Sequence, residues 1–229
     1  MNEVYVNYKF KERTPNNLIV SQGGFLLAYS KNQFMLRRLH SLLGVIPIGG
    51  FLLVHLLVNH QATKGAEAFN QASAFMESLP FLIVLEFLLI YIPILYHAVY
   101  GVHIAFTAKE NIGHYSRFRN WMFFLQRVTG VITFIFIAIH LWQTRIQLLF
   151  GKEPNFDMMH EILTTPLNLI GYIIGLIAVT FHFANGLWSF LVTWGVLQSK
   201  KSQRVFTWVS LIVFIVVSYI GLSATFAFL

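Results

Sequence analysis

His55, His97, His140 and His182 lie on four separate apolar stretches, at almost equal intervals along the chain. An imidazole inside a membrane span is costly unless it has a partner. Four at an even beat suggest two pairs, each able to grip something from opposite sides. Two nitrogen donors per level suit a haem iron, where a porphyrin supplies the other four nitrogens. Such iron has no open position, so its chemistry would be electron transfer and not oxygen binding.

The elements that must carry these residues follow from composition. Of 229 residues, 56% are hydrophobic and only 11% charged, against about a quarter charged in soluble domains. The expected fold class is an all-α membrane protein. A span needs about 20 apolar residues, and five runs qualify: 39–59, 81–106, 121–149, 167–197 and 205–229. Lipid offers no partner to backbone amides, so each run must be helical. The first four spans should form a haem-binding four-helix bundle, with the fifth outside it. There are no cysteines, which excludes iron–sulfur ligation and covalently attached haem and leaves the non-covalent b type. The net charge of +7 does not indicate nucleic acid, because the basic residues flank apolar spans. Residues 1–33 show no cleavable signal peptide. Residues 1–34 read as a cytoplasmic extension ahead of a membrane domain at 35–229.

Charge fixes the expected orientation. The N-terminal segment carries Lys9, Lys11, Arg13, Lys31, Arg37 and Arg38 against Glu3 and Glu12. The second connection has Lys109, Arg117 and Arg119 against Glu110, and the fourth has Lys200, Lys201 and Arg204 with no acid. The first and third connections are the acidic ones, with Glu67, Glu77, Glu153, Asp157 and Glu161. By the positive-inside rule the N-terminus is cytoplasmic and the C-terminus external. Alternating direction then sets depth. His55 and His140 fall near the outer face, and His97 and His182 near the inner face. From the rise of an α-helix the two levels should differ by roughly 15 Å.

The chain also repeats. The step from His55 to His140 equals the step from His97 to His182. The inner pair shares His97-Ala-Val-Tyr-Gly101 and His182-Phe-Ala-Asn-Gly186, where a glycine one turn from each histidine would let a flat macrocycle lie close. Ser41-Leu-Leu-Gly44 and Arg127-Val-Thr-Gly130 give spans one and three similar starts. The plainer alternative for a lone membrane histidine is a hydrogen bond to a neighbouring helix. Matched spacing and paired depth argue against that for all four together. A zinc site would want three or four ligands at one point, and each level offers two. His40, His60, His103, His114 and His160 read as polar interface residues.

Other polar positions are candidates for the cofactor's surroundings. Arg38 and Arg127 on the inner side, and Arg145 with Gln143 on the outer side, could meet haem propionates. For Arg38 and Arg145 the alternative is interfacial snorkelling, whereas Arg127 calls for a buried acceptor. Glu86 is the acid well inside a span, at the outer histidines' depth. It could relay protons to a quinone or be a neutral acid bonded to another helix. Pro47 and Pro93 should kink spans one and two.

Four long stretches carry a resemblance: Arg37-Arg-Leu-His-Ser-Leu-Leu-Gly-Val-Ile-Pro47, Tyr96-His-Ala-Val-Tyr-Gly101, Arg119-Asn-Trp-Met-Phe-Phe-Leu-Gln-Arg-Val-Thr-Gly130 and Phe181-His-Phe-Ala-Asn-Gly-Leu-Trp-Ser189. From about residue 35 onward the chain resembles the cytochrome b558 membrane anchors of Bacillus-type succinate dehydrogenases (succinate:menaquinone oxidoreductases). The resemblance implies a five-helix, single-chain anchor with two b haems in the bacterial cytoplasmic membrane. It would hold a flavoprotein and an iron–sulfur subunit on the cytoplasmic face, with succinate oxidised outside this chain and electrons passed to menaquinone. Carried over by position, His97 and His182 would ligate an inner, high-potential haem, and His55 and His140 an outer, low-potential one. The quinone would sit near Glu86 at the outer end, with an inner site at Ser41 and Arg38 as competitor. Arg37, Arg38, Arg117 and Arg119 would dock the iron–sulfur subunit. The rivals are a related fumarate reductase anchor, another quinone-linked cytochrome b, and a haem-free transporter with a histidine proton relay.

Overall fold

The computed structural model describes residues 32–107, 112–113 and 116–229. Residues 1–31, which make up most of the expected extension, lie outside the described residues, as do Lys109, Glu110 and His114. The chain divides into Met1–Arg37 and Arg38–Leu229. In the first unit residues 32–37 are described, and all of them are helical. No strand occurs among the described residues.

Five helices are long and apolar enough to cross a membrane: Asn32–Lys64, Leu82–Thr107, Phe118–Phe150, Pro166–Thr193 and Lys200–Ala227. They are called spans one to five below. Their outward faces carry large apolar side chains that no described residue covers, among them Leu95, Val99, Leu167 and Ile212. Exposed apolar surface on that scale needs lipid or a partner.

Span boundaries move from the hydropathy reading for local reasons. Span four ends at Thr193 and not at 197, because Gly195 takes φ +76° and the Val196 N–H turns back to the Leu191 carbonyl at 2.9 Å. That is a glycine-terminated helix end. Span five begins at Lys200, ahead of the expected start, because the Ser199 hydroxyl caps the Ser202 N–H at 3.0 Å. Its first turn is polar, so hydropathy does not register it. In span two Pro93 produces one π turn, Phe87–Tyr91, ahead of Ile92–Thr107. A proline ring collides with the carbonyl four residues back, and the wider turn lets that carbonyl swing aside.

The first and third connections are more than loops. They contain helices Ala66–Glu77 and Phe156–Leu163, the second capped by the Asn155 side chain on the Met158 N–H at 2.9 Å. Phe69 of the first helix and Met159 and Leu163 of the second close over Tyr172 and Phe228 as a buried cluster. These two helices are absent from the hydropathy reading because a short amphipathic helix has too few apolar residues to stand out. Span five lies against spans one and four. Leu56, Leu176 and Val217 form a second buried cluster there, and the Thr180 and Ser218 hydroxyls are 2.8 Å apart. Span five adds no residue to the histidine pairs.

Candidate metal centres

The bundle brings the four repeating histidines together in two facing pairs. The rings of His55 and His140 have centroids 5.8 Å apart and planes at 76°. Those of His97 and His182 are 6.1 Å apart at 90°. An iron bound in line by two imidazole nitrogens, at about 2 Å each, holds the ring centroids about 6 Å apart. Elsewhere among the described residues, no three or more His, Asp or Glu side chains converge on a point.

The levels are separated along span four. Tyr172 bonds His140, and His182, further along the same helix, faces His97. The helical rise from Tyr172 to His182 is about 15 Å.

The inner imidazoles are oriented from behind. His97 Nδ1 lies 2.9 Å from the His40 carbonyl, and His182 Nδ1 lies 3.0 Å from the Gln126 carbonyl. A carbonyl only accepts, so each Nδ1 carries the hydrogen and each Nε2 keeps a free lone pair. This is the arrangement that metal-binding histidines use to fix tautomer and ring direction. Both carbonyls lie inside helices, where a fourth-residue N–H normally claims them. The fourth residue on is Gly44 in one case and Gly130 in the other, and both glycines open the approach. A Cβ at Gly44 would overlap His97 Cε1, and one at Gly130 would stand 3.0 Å from His182 Cε1. Gln126 closes the second case reciprocally, its amide donating to the His182 carbonyl at 3.0 Å and its Oε1 accepting from Asn185 at 2.6 Å.

Gly101 and Gly186 make room for these supports. A Cβ at Gly101 would meet His40 Nε2 at 3.1 Å, and one at Gly186 would meet the Gln126 amide at 3.3 Å. His40, which reads from sequence as an interface residue, stacks on His97 with centroids 4.0 Å apart and planes within 7°. The sequence signal was the glycine four residues after it, matched by Gln126 and Gly130 in the second half.

The arginines have partners of their own. Arg145 bridges Glu77 at 3.1 Å and Glu86 at 2.7 Å, so Glu86 has an ion-pair partner that the sequence reading did not foresee. Glu86 ends the helical turn before the π segment, and Arg145 opens the 3₁₀ turn that ends span three. Arg38 donates to the Thr193 carbonyl at 3.4 Å and lies 5.1 Å from the Trp194 ring. Trp194 in turn donates to Ser41 at 3.2 Å. Arg127 reaches the Phe123 carbonyl at 3.4 Å, and its guanidinium covers the Phe123 ring at 4.0 Å. Arg119 donates to Thr207 and lies over Trp188 at 3.5 Å.

A profile of the family described as "Succinate dehydrogenase/Fumarate reductase transmembrane subunit" matches residues 105–221, a stretch that contains His140 and His182. The chain is also similar to the Bacillus subtilis (strain 168) protein named "Succinate dehydrogenase cytochrome b558 subunit". The two are 59% identical over 196 residues, which is 86% of this chain and 97% of that protein.

Proposed function

The chain belongs to the succinate dehydrogenase/fumarate reductase transmembrane-subunit family, and from that premise we propose that it anchors a cytoplasmic flavoprotein and iron–sulfur module and conducts electrons from it to menaquinone. As a member of that family it is a multi-pass membrane subunit of an oxidoreductase complex. Succinate itself would be handled on the partner subunits. The N-terminus faces the cytoplasm in this proposal, in line with the basic second and fourth connections.

The two histidine pairs carry the proposal. Their donor set fits two b haems: facing imidazoles at the spacing that in-line iron requires, with Nδ1 of the inner two held on carbonyls. His97 and His182 would hold the inner group, and His55 and His140 the outer. Haem b bound in this way supplies a one-electron carrier whose coordination is complete. The chain's own work is to bind, orient and dehydrate. Gly44 and Gly130 admit the inner imidazoles to their carbonyls, and lipid-facing apolar residues keep water away. Arg38 and Arg127 give the inner level positive charge, whereas at the outer level Arg145 offsets one of the two charges of Glu77 and Glu86; the difference favours the inner centre for accepting electrons first.

For the quinone we favour the outer end. There Glu86, held by Arg145 immediately before the π turn of span two, would be the acid beside a bound ring. At the inner end Ser41 and Arg38 are both engaged with Trp194. Glu86→Gln should therefore slow menaquinone-analogue reduction at least severalfold while both haem bands persist. Unchanged turnover would remove Glu86 from the site.

Gly44→Ala should cost the inner centre. The added methyl overlaps His97 Cε1, so the ring must leave the His40 carbonyl. Visible difference spectra should show the inner band lost or weakened with the outer band kept; an unaltered spectrum would mean that the carbonyl does not orient His97.

The proposal as a whole is tested by purifying the chain from native membranes. A flavoprotein and an iron–sulfur protein should accompany it, and succinate should reduce its b-type bands. A colourless chain without those partners would support the transporter reading instead.

A further inference from the structure

The internal repeat extends beyond the histidines, and it breaks at one informative place. Phe51 and Phe136 occupy matching positions one turn before His55 and His140. Their rings lie against those imidazoles at 5.4 and 5.7 Å. Asn59 and Thr144 match one turn after, and each donates to its own histidine's carbonyl, at 2.8 and 2.6 Å. The inner level keeps the same kind of support, through the carbonyls of His40 and Gln126, although these stand one residue out of register with the repeat.

The outer level does not keep it. His140 Nδ1 lies 3.2 Å from the Tyr172 hydroxyl. The equivalent position in the first half of the repeat is Phe87, which has no hydroxyl, belongs to the π turn and is 54% exposed. On His55 the neighbouring Asn59 amide nitrogen donates to the His55 carbonyl and lies 3.4 Å from Nε2, so it gives Nδ1 no acceptor of the Tyr172 kind. The Tyr172 hydroxyl is held in place independently of any cofactor. The residue is 6% exposed and packed with Phe69, Leu163 and Phe228 beneath the connection helices. Phe136 meets it edge-on at 5.3 Å, and Gly175 one turn away leaves room for the Phe136 ring.

We propose that Tyr172 is the positioning residue of the outer centre: its oxygen accepts the His140 Nδ1 hydrogen, turns Nε2 toward His55, and sets the outer midpoint potential apart from the inner. This rests on the two-haem reading. An acceptor on Nδ1 makes the imidazole a stronger donor to oxidised iron, so losing it should raise the potential of that centre. At the inner level the acceptors are backbone carbonyls, which no side-chain change removes, so the hydroxyl is the accessible handle on the outer one.

The test is a redox titration of the intact complex carrying Tyr172→Phe, with electron paramagnetic resonance of the oxidised state. Phenylalanine keeps the ring and removes one oxygen. The outer midpoint should move positive and its resonance should shift, while the inner transition stays in place. Loss of the outer band alone would support the proposal equally. Phe69→Leu loosens the same cluster and spares the hydroxyl, so it should leave the outer midpoint unchanged. An unmoved outer midpoint in Tyr172→Phe, equal movement or loss of both transitions, or the same shift in Phe69→Leu would overturn the assignment. If the unaltered complex shows no b-type bands, the two-haem reading itself fails, which is a distinct result.

Discussion

His182→Ala should halve the haem content of the complex, from two per chain to one, with the inner transition lost and the outer one kept. Three consequences combine. On the two-haem proposal the inner group would lose one of the two imidazoles that hold it, and His97 alone would not retain it. Gln126 loses the imidazole that its carbonyl holds on the facing helix. The packing between spans three and four loosens where Asn185 and Gln126 interlock. Assembly with the partner subunits should fall as well, because the inner level lies on the cytoplasmic side in this account. Pyridine haemochrome content per chain and a potentiometric titration measure the first effect. Two undisturbed transitions would remove His182 from the ligand set.

Arg145→Leu is the second large effect, and it acts through charge. Arg145 is paired with Glu77 and Glu86, whose side chains are 41% and 16% exposed. Glu77 can rehydrate at little cost, whereas Glu86 is left with an uncompensated carboxylate at the edge of the lipid. Breaking a buried pair from one side costs about 3–5 kcal/mol, and partial exposure reduces this to about 2–3 kcal/mol here. The span two to span three contact should loosen, and the outer haem band should be the first to bleach on heating. Glu86→Leu combined with Arg145→Leu should recover most of the loss, because no buried charge then remains without a partner. A double variant no more stable than Arg145→Leu alone would show that the arginine contributes through packing and not through the ion pair.

Much of this was legible in the chain. The even spacing of His55, His97, His140 and His182 converts directly to depth once the spans alternate in direction, because helix rise is constant. The five spans follow from hydropathy alone, with errors confined to their ends. Those errors arise where capping chemistry overrides apolarity, as at Ser199 and Gly195. The supports behind the histidines were harder to see. Tyr172 and Gln126 sit on neighbouring helices, and which carbonyl or hydroxyl faces a given imidazole depends on helix rotation. Hydropathy cannot fix that rotation when both faces are apolar. His40 reads as an interface residue because it stands at a cytoplasmic helix start; what bears on His97 is its carbonyl and the glycine four residues on. The connection helices over Tyr172 were hidden by their short amphipathic pattern. The Arg145 pairing required knowing that Glu77 and Glu86, on either side of a turn, both reach span three.

Haem stoichiometry and midpoint number in the purified native complex test the central claim most directly. Two b haems per chain, titrating as two one-electron transitions with low-spin, bis-imidazole resonances, are the expected result. A single haem per chain, one transition, or no b-type absorption would contradict it.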